Sequence, residues 1–373
     1  MSNRESFINI LERKPSAAIP ADVWESLIHS TLQDKLLEYY GLGKDEEDKL
    51  YNALEACTRR VVPIYCGPPL EELDWGYEPS WPFTKVEKSI WGTPENLQTY
   101  SDIFERPLAG AQSTADVENF NWPTCDLFDY SRYSWFNNPD LSYSIDEWAE
   151  KYSDCGRVIS GWNPLFSRLM DMFGMEQGLL NFALKPEVMQ AATERIGWFL
   201  ETYYENTAKA TSHVGDVLGF GDDFAGQNGM LVNPALWREM FLPVWKKLFA
   251  IAHKYNMKAM MHLCGGVAEV LPDLIDAGLD IYQNVQLNAK GMDMYDLKKE
   301  YGSDLIFYGG IDVQNDLLFC NEEQVAEIVK KTIEVLGEGG GYIVASTHFL
   351  LDDLPYKNVI SMYETVKKYN KDI

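Results

Sequence analysis

The chain has 373 residues, 46% of them hydrophobic and 13% aromatic, with 11 tryptophans, enough apolar surface for a packed core and too much for wholesale disorder. Its 57 acidic and 32 basic residues give a formal charge of −25, which repels phosphate backbones and anionic headgroups wherever no basic patch intervenes, so no nucleic-acid or membrane partner is expected. The N-terminus carries no apolar leader and no stretch approaches the length of a spanning helix, so a cytoplasmic location is expected. Cys57, Cys66, Cys125, Cys155, Cys264 and Cys320 are scattered without a close-spaced framework, which argues for reduced thiols.

Residues 20–28 and 46–54 space apolar side chains at three or four, which predicts helices. Residues 1–60 therefore read as a helical extension capping a catalytic domain that spans residues 61–373. Val61 to Tyr65 form an early strand. From residue 68 to 142 the pattern breaks into Trp-, Pro- and Gly-rich segments containing Trp75, Tyr77, Trp81 and Phe83, too irregular for long helices and too aromatic for a linker. This is read as an ordered insertion at a pocket rim.

Beyond Arg157 short apolar runs at 158–162, 217–220, 259–262, 279–282, 305–308 and 342–345 alternate with amphipathic helices. Helix starts are marked by Asn233-Pro234 and by Asn321 ahead of Glu322 and Glu323. With the early strand and one more in the aromatic insertion, the count reaches that of a closed (β/α)8 TIM barrel carrying an N-terminal helical extension. No glycine fingerprint for dinucleotides follows the first strand.

Barrel active sites sit where strands finish, and polar residues crowd there. Asp222 and Asp223 follow Phe220-Gly221, His262 and Cys264 follow Met261, Asn284 and Gln286 follow Tyr282, Asp312 follows Gly309-Gly310-Ile311, and His348 follows Ser346-Thr347. On a strand, residues i and i+2 share a face, so His262 and Cys264 converge as two soft ligands suited to zinc. The plainer alternative is a buried histidine beside an inert core cysteine. Asp222 or Asp223 can equally cap the next helix, Asp312 can brace its turn, and His348 can be a wall residue. Asn284 and Gln286 are amides of either kind, and aromatic packing competes with a pocket role for Trp75 and Tyr77. His29, His213 and His253 read as structural or solvent-facing.

The run Gly221-Asp222-Asp223-Phe224-Ala225-Gly226-Gln227, the pair Val232-Asn233-Pro234 and Phe241-Leu242-Pro243, His262-Leu263-Cys264-Gly265 with Pro272-Asp273-Leu274-Ile275, Gly309-Gly310-Ile311-Asp312 and Gly339-Gly340-Gly341-Tyr342 together resemble the uroporphyrinogen decarboxylase superfamily. Within it the chain is similar to the corrinoid-dependent methyltransferases, from about Leu32 to Tyr363. The decarboxylases of that superfamily need no cofactor and use an arginine-rich N-terminal motif with a catalytic Asp. Here residues 61–69 lack that motif, and only Arg59 and Arg60 precede them.

The methyltransferase resemblance implies zinc held by His262, Cys264 and a third ligand, with His348 standing where that branch has cysteine. One thiolate and two imidazoles leave Zn²⁺ about one positive charge, a harder Lewis acid suited to a methoxy oxygen. The resemblance thus implies a zinc-dependent enzyme of the O-demethylation type from anaerobic metabolism, moving a methyl group between a small methylated substrate and a corrinoid on a partner protein. Asp222 or Asp223 would serve as acid for the leaving oxygen and Asp312 would orient His262 or His348. Asn284, Gln286, Trp75 and Tyr77 would contact substrate, and a homodimer is an admissible assembly. A cofactor-free decarboxylase and a non-catalytic binding barrel are the alternatives.

Overall fold

The computed structural model describes residues 3–14, 18–23, 27–76, 88–94, 105–135 and 138–372. The described residues form strands β1 (Thr58–Tyr65), β2 (Phe128–Ser134), β3 (Gly156–Ser160), β4 (Val217–Asp222), β5 (Ala225–Gly226), β6 (Gly229–Met230), β7 (Lys258–Leu263), β8 (Ile281–Val285), β9 (Ile306–Ile311) and β10 (Tyr342–Ser346), those of the parallel ring being mostly apolar runs bounded by turn residues. Strands β1, β3, β4, β7, β8, β9 and β10 pair in parallel in that order, with helices between them. The predicted start signals are realised: the Asn233 side chain accepts from Ala235 N at the head of Pro234–Met240, and Asn321 forms a capping box on Glu322–Leu336.

The ring closes through a segment expected to be helical. Residues 20–22 are extended between the two free edges: Asp22 N donates to Val344 O at 2.8 Å, Val344 N to Pro20 O at 2.9 Å, and Cys57 N to Ala21 O at 2.9 Å. Ala21 bridges both Ala56 and Val344 in parallel. The apolar spacing of residues 20–28 is a weak local preference, and two strand edges with unpaired amides and carbonyls outweigh it. The strand expected within the aromatic insertion exists as β2, but it runs antiparallel along the end of β1 and takes no place in the parallel ring. The fold is a (β/α)8 barrel, as expected, with its eighth stave supplied from the N-terminal segment.

Alternation along each strand sorts the core. Val158, Val217, Met260, Ile281, Ile306 and Ile343 fill the lumen, while Leu218, Met261, Leu263 and Phe307 face the helices. Phe7, Ile10 and Leu11 of the helix Asn3–Leu11 close the end of the lumen where the strands begin. A β-carbon on Gly156 would lie 2.3 Å from the Phe7 ring, so only glycine admits the plug there. Arg4 clamps it with a bidentate pair to Asp216 at 2.6 and 2.8 Å. Phe7→Ala is expected to cost about 3–5 kcal/mol, read by urea unfolding; wild-type stability would show that the plug does not seal the core. Among the described residues no helix is long and apolar enough to cross a membrane.

Candidate metal centre

With Met260 in the lumen and Met261 outside, His262 returns to the interior where β7 ends, in register with Gly221 on β4 and Gln283 on β8. A β-carbon on Gly221 would lie 2.8 Å from the Trp162 ring. Glycine therefore lets that indole sit edge-on to the His262 imidazole, 5.9 Å between centroids. Beyond Cys264 the chain turns at Gly265, whose φ of +81° is left-handed and whose β-carbon would meet the Gly226 backbone at 2.6 Å. Gly266 N donates to Gly226 O at 3.0 Å, and Gly265 N donates to Gln286 Oε1 at 2.8 Å. The His-x-Cys-Gly-Gly turn is thus wedged against the loop that follows Asp223.

Three ligand-capable groups converge there. Cys264 Sγ lies 3.3 Å from His262 Nε2, Asp223 Oδ1 lies 4.0 Å from the same nitrogen, and the three donor atoms all lie within 4.8 Å of one another. A tetrahedral zinc with Zn–S about 2.3 Å and Zn–N about 2.0 Å sets sulfur and nitrogen about 3.5 Å apart, so the spacing fits such an ion. Asp223 Oδ1 is buried without a hydrogen-bond partner among the described residues, an acceptor that a cation would satisfy.

Asn284 Nδ2 donates to Cys264 Sγ at 3.1 Å. Its backbone is left-handed, φ +73°, where β8 bulges against β9. Asn tolerates that conformation better than other side chains, and the bulge turns its amide onto the sulfur. Burial pushes the His262 pKa down to about 3, helped by the nearby charges of His348 and Arg60; the imidazole is therefore neutral at neutral pH, the form that binds metals. Burial lowers His348 as well and raises Asp223, against the pull of Cys264 on the latter.

The predicted site residues divide. His262, Cys264, Asn284 and Gln286 meet, and among the described residues the group whose donor atom lies within 4.8 Å of both His262 and Cys264 is Asp223, where His348 is the third ligand expected. His348 instead lines a cleft of about 400 Å³ beside Cys264, with Gln227, Gln286, Gln314 and Thr347 on its walls. No lysine or arginine is among the described residues lining it.

Asp222 does not reach the rim, nor does it cap the next helix. It is buried beneath the rim: Oδ2 accepts from Phe166 N at 2.7 Å and Oδ1 from Ser167 N at 2.9 Å, capping the preceding helix, Phe166–Phe173. Burial pushes its pKa up to about 7 against those hydrogen bonds. Asp312 orients neither histidine; it accepts from Asn288 Nδ2, Asn315 Nδ2 and Gln314 N at 2.7–2.9 Å, bracing the turn after β9. Trp75 is buried away from the cleft walls, its indole donating to Ile90 O at 3.1 Å. Tyr77, Trp81 and Phe83 lie outside the described residues. Trp162, beside the imidazole, escaped the sequence reading; its position just past β3, on the face served by the small Gly221, was the available signal.

A family model described as uroporphyrinogen decarboxylase (URO-D) matches residues 165–369. Among solved structures the chain is similar to a methyltransferase from Methanosarcina mazei, at 15% identity and a TM-score of 0.62 with 99% of each chain covered. Similarity to a D-psicose 3-epimerase from Clostridium cellulolyticum H10 is fainter, at 8% identity and a TM-score of 0.38 over 61% of this chain and 83% of that one. A GH113 β-1,4-mannanase compares at 8% identity and 0.39 over 95% and 99%. No curated protein matches the sequence.

Proposed function

The chain belongs to the uroporphyrinogen decarboxylase (URO-D) family, and from that membership we propose that it is a metal-dependent methyltransferase, moving a methyl group between a small methylated substrate and a corrinoid on a partner protein. The observation that carries this reading is the meeting of Cys264 Sγ, His262 Nε2 and an Asp223 carboxylate oxygen within 4.8 Å at the barrel's C-terminal end. The fold shared with a methyltransferase agrees with it. A decarboxylase acting on a polycarboxylate needs cations to hold its substrate, and no lysine or arginine is among the described residues lining the cleft that Cys264 opens onto.

His262, Cys264 and Asp223 would hold a zinc ion. When bound, zinc supplies Lewis acidity to the atom that carries the methyl group, making it a better leaving group. The thiolate and carboxylate would balance the two charges of the ion, so this site would be neutral and a weaker Lewis acid than the one-thiolate, two-imidazole site expected from the sequence. Asn284 fixes the sulfur by donating to it, and burial keeps His262 in its neutral, ligating form. Gln227, Gln286 and Gln314 offer hydrogen bonds to an uncharged substrate. His348 faces that substrate from the cleft wall and is the group placed to hydrogen-bond a leaving oxygen, since Asp222 is enclosed and committed to its helix.

Elemental analysis joined to a donor screen tests the proposal. Purified protein should carry about one zinc per chain and methylate reduced cobalamin, or a corrinoid protein, from neutral methoxylated donors. Activity confined to thiols would reject the oxygen-linked donor. Carbon dioxide release from a polycarboxylate, unaffected by chelator, would reject the methyltransferase reading itself.

A further inference from the structure

Gln283 lies in the barrel lumen, on the face shared with Ile281, and is 1% exposed. Both of its side-chain amide atoms are buried without a hydrogen-bond partner among the described residues. A buried amide left unsatisfied is costly, so such a group marks a partner supplied in the working state.

Its in-register neighbours are His262 on β7 and Tyr308 on β9, and both share its face, as Met260 and Tyr308 belong to the lumen cluster. The Tyr308 hydroxyl is committed on both sides: it donates to Asp22 Oδ2 at 2.5 Å and accepts from Arg60 Nη2 at 3.0 Å. Asp22 also accepts from the Thr58 hydroxyl, so that network is complete at its acceptor end. The other neighbour is the imidazole whose Nε2 faces the Cys264 sulfur. A neutral imidazole that presents Nε2 to a metal carries its proton on Nδ1 and needs an acceptor there. Adjacent strands lie about 4.8 Å apart, a gap that a glutamine side chain spans by rotation about its own bonds.

We propose that Gln283 is a positioning residue for the metal centre, its Oε1 accepting the Nδ1–H of His262 and thereby holding Nε2 toward the ion. The inference rests on the metal reading above and deepens it: the ligand set is supported from below by an amide on the next strand. Gln283 touches neither substrate nor metal.

The test is zinc affinity, measured on the full chain by competition with a chromophoric chelator, alongside melting of the metal-free protein. Gln283→Leu removes the acceptor at similar volume and is expected to weaken zinc roughly 10–100-fold while the metal-free protein melts no lower than wild type. Gln283→Glu keeps an acceptor and is expected to bind zinc at least as tightly as wild type. Should Gln283→Leu fail to fold, Gln283→Met replaces it as the acceptor-free variant. Wild-type affinity in the acceptor-free variant overturns the inference alone, and so does equal weakening in Leu and Glu variants accompanied by lower melting of the metal-free protein. A wild-type protein that takes up no zinc overturns the metal reading, and this inference with it.

Discussion

Cys264→Ala is expected to leave a folded barrel that no longer retains zinc or transfers methyl groups. The sulfur is the sole soft donor of the cluster, 3.3 Å from His262 Nε2, and removing a ligand costs more than the roughly 10–100-fold that follows loss of a supporting hydrogen bond. Zinc affinity should therefore fall by more than about 100-fold. Cys264 is partly exposed at the end of a strand, so the fold should tolerate the change. Asp223→Ala should lose metal in the same way. His348→Ala should retain metal and lose transfer, because His348 lies on the cleft wall outside the three-group cluster. Metal content and chelator competition on the three variants decide the matter. If His348→Ala loses zinc while Asp223→Ala keeps it, the third ligand reverts to the histidine expected from the sequence, and undiminished zinc in Cys264→Ala would leave the centre without its premise.

The second large effect is on stability. Asp222→Ala is expected to destabilise the fold by about 3 kcal/mol, combining loss of a helix cap with buried amides left unsatisfied. The carboxylate is 1% exposed and accepts from Phe166 N, Ser167 N, Ser167 Oγ and Asp223 N between 2.7 and 3.1 Å. The helix Phe166–Phe173 has no side-chain cap of its own, since Leu165 occupies its N-cap position. Because Asp222 also holds the backbone of Asp223, the same variant should weaken zinc binding, whereas Asp222→Asn keeps one acceptor oxygen and should recover part of both losses. Urea unfolding is the measurement. A change within about 0.5 kcal/mol of wild type would mean the helix finds another cap and the aspartate is free for chemistry after all.

Two adjacent aspartates at a strand end point to opposite faces, and the strand period alone cannot tell which faces His262 and Cys264 and which the helix. Once Asp222 is taken by amides from the helix after β3, Asp223 is left to face His262 and Cys264. In the same way His348 and Asp312 stand at strand ends, as expected, but the turn after β9 absorbs Asp312 through Asn288 and Asn315. Asn284 was legible as a rim amide; its approach to the sulfur depends on a bulge and a left-handed backbone that its residue type permits but does not announce.

By itself the sequence determined the alternation of strand and helix, the burial of the strand runs and the shared face of His262 and Cys264, because each follows from local periodicity and chemistry. Tertiary structure alone decided that residues 20–22 close the ring, that Asp223 stands within 4.8 Å of His262 and Cys264 while His348 lines the adjoining cleft, and that Asp222 serves a helix. Those outcomes depend on which unpaired amides and buried charges meet across the chain, and pairings between segments distant in sequence are set by closure of the barrel, not by the pattern within any one segment.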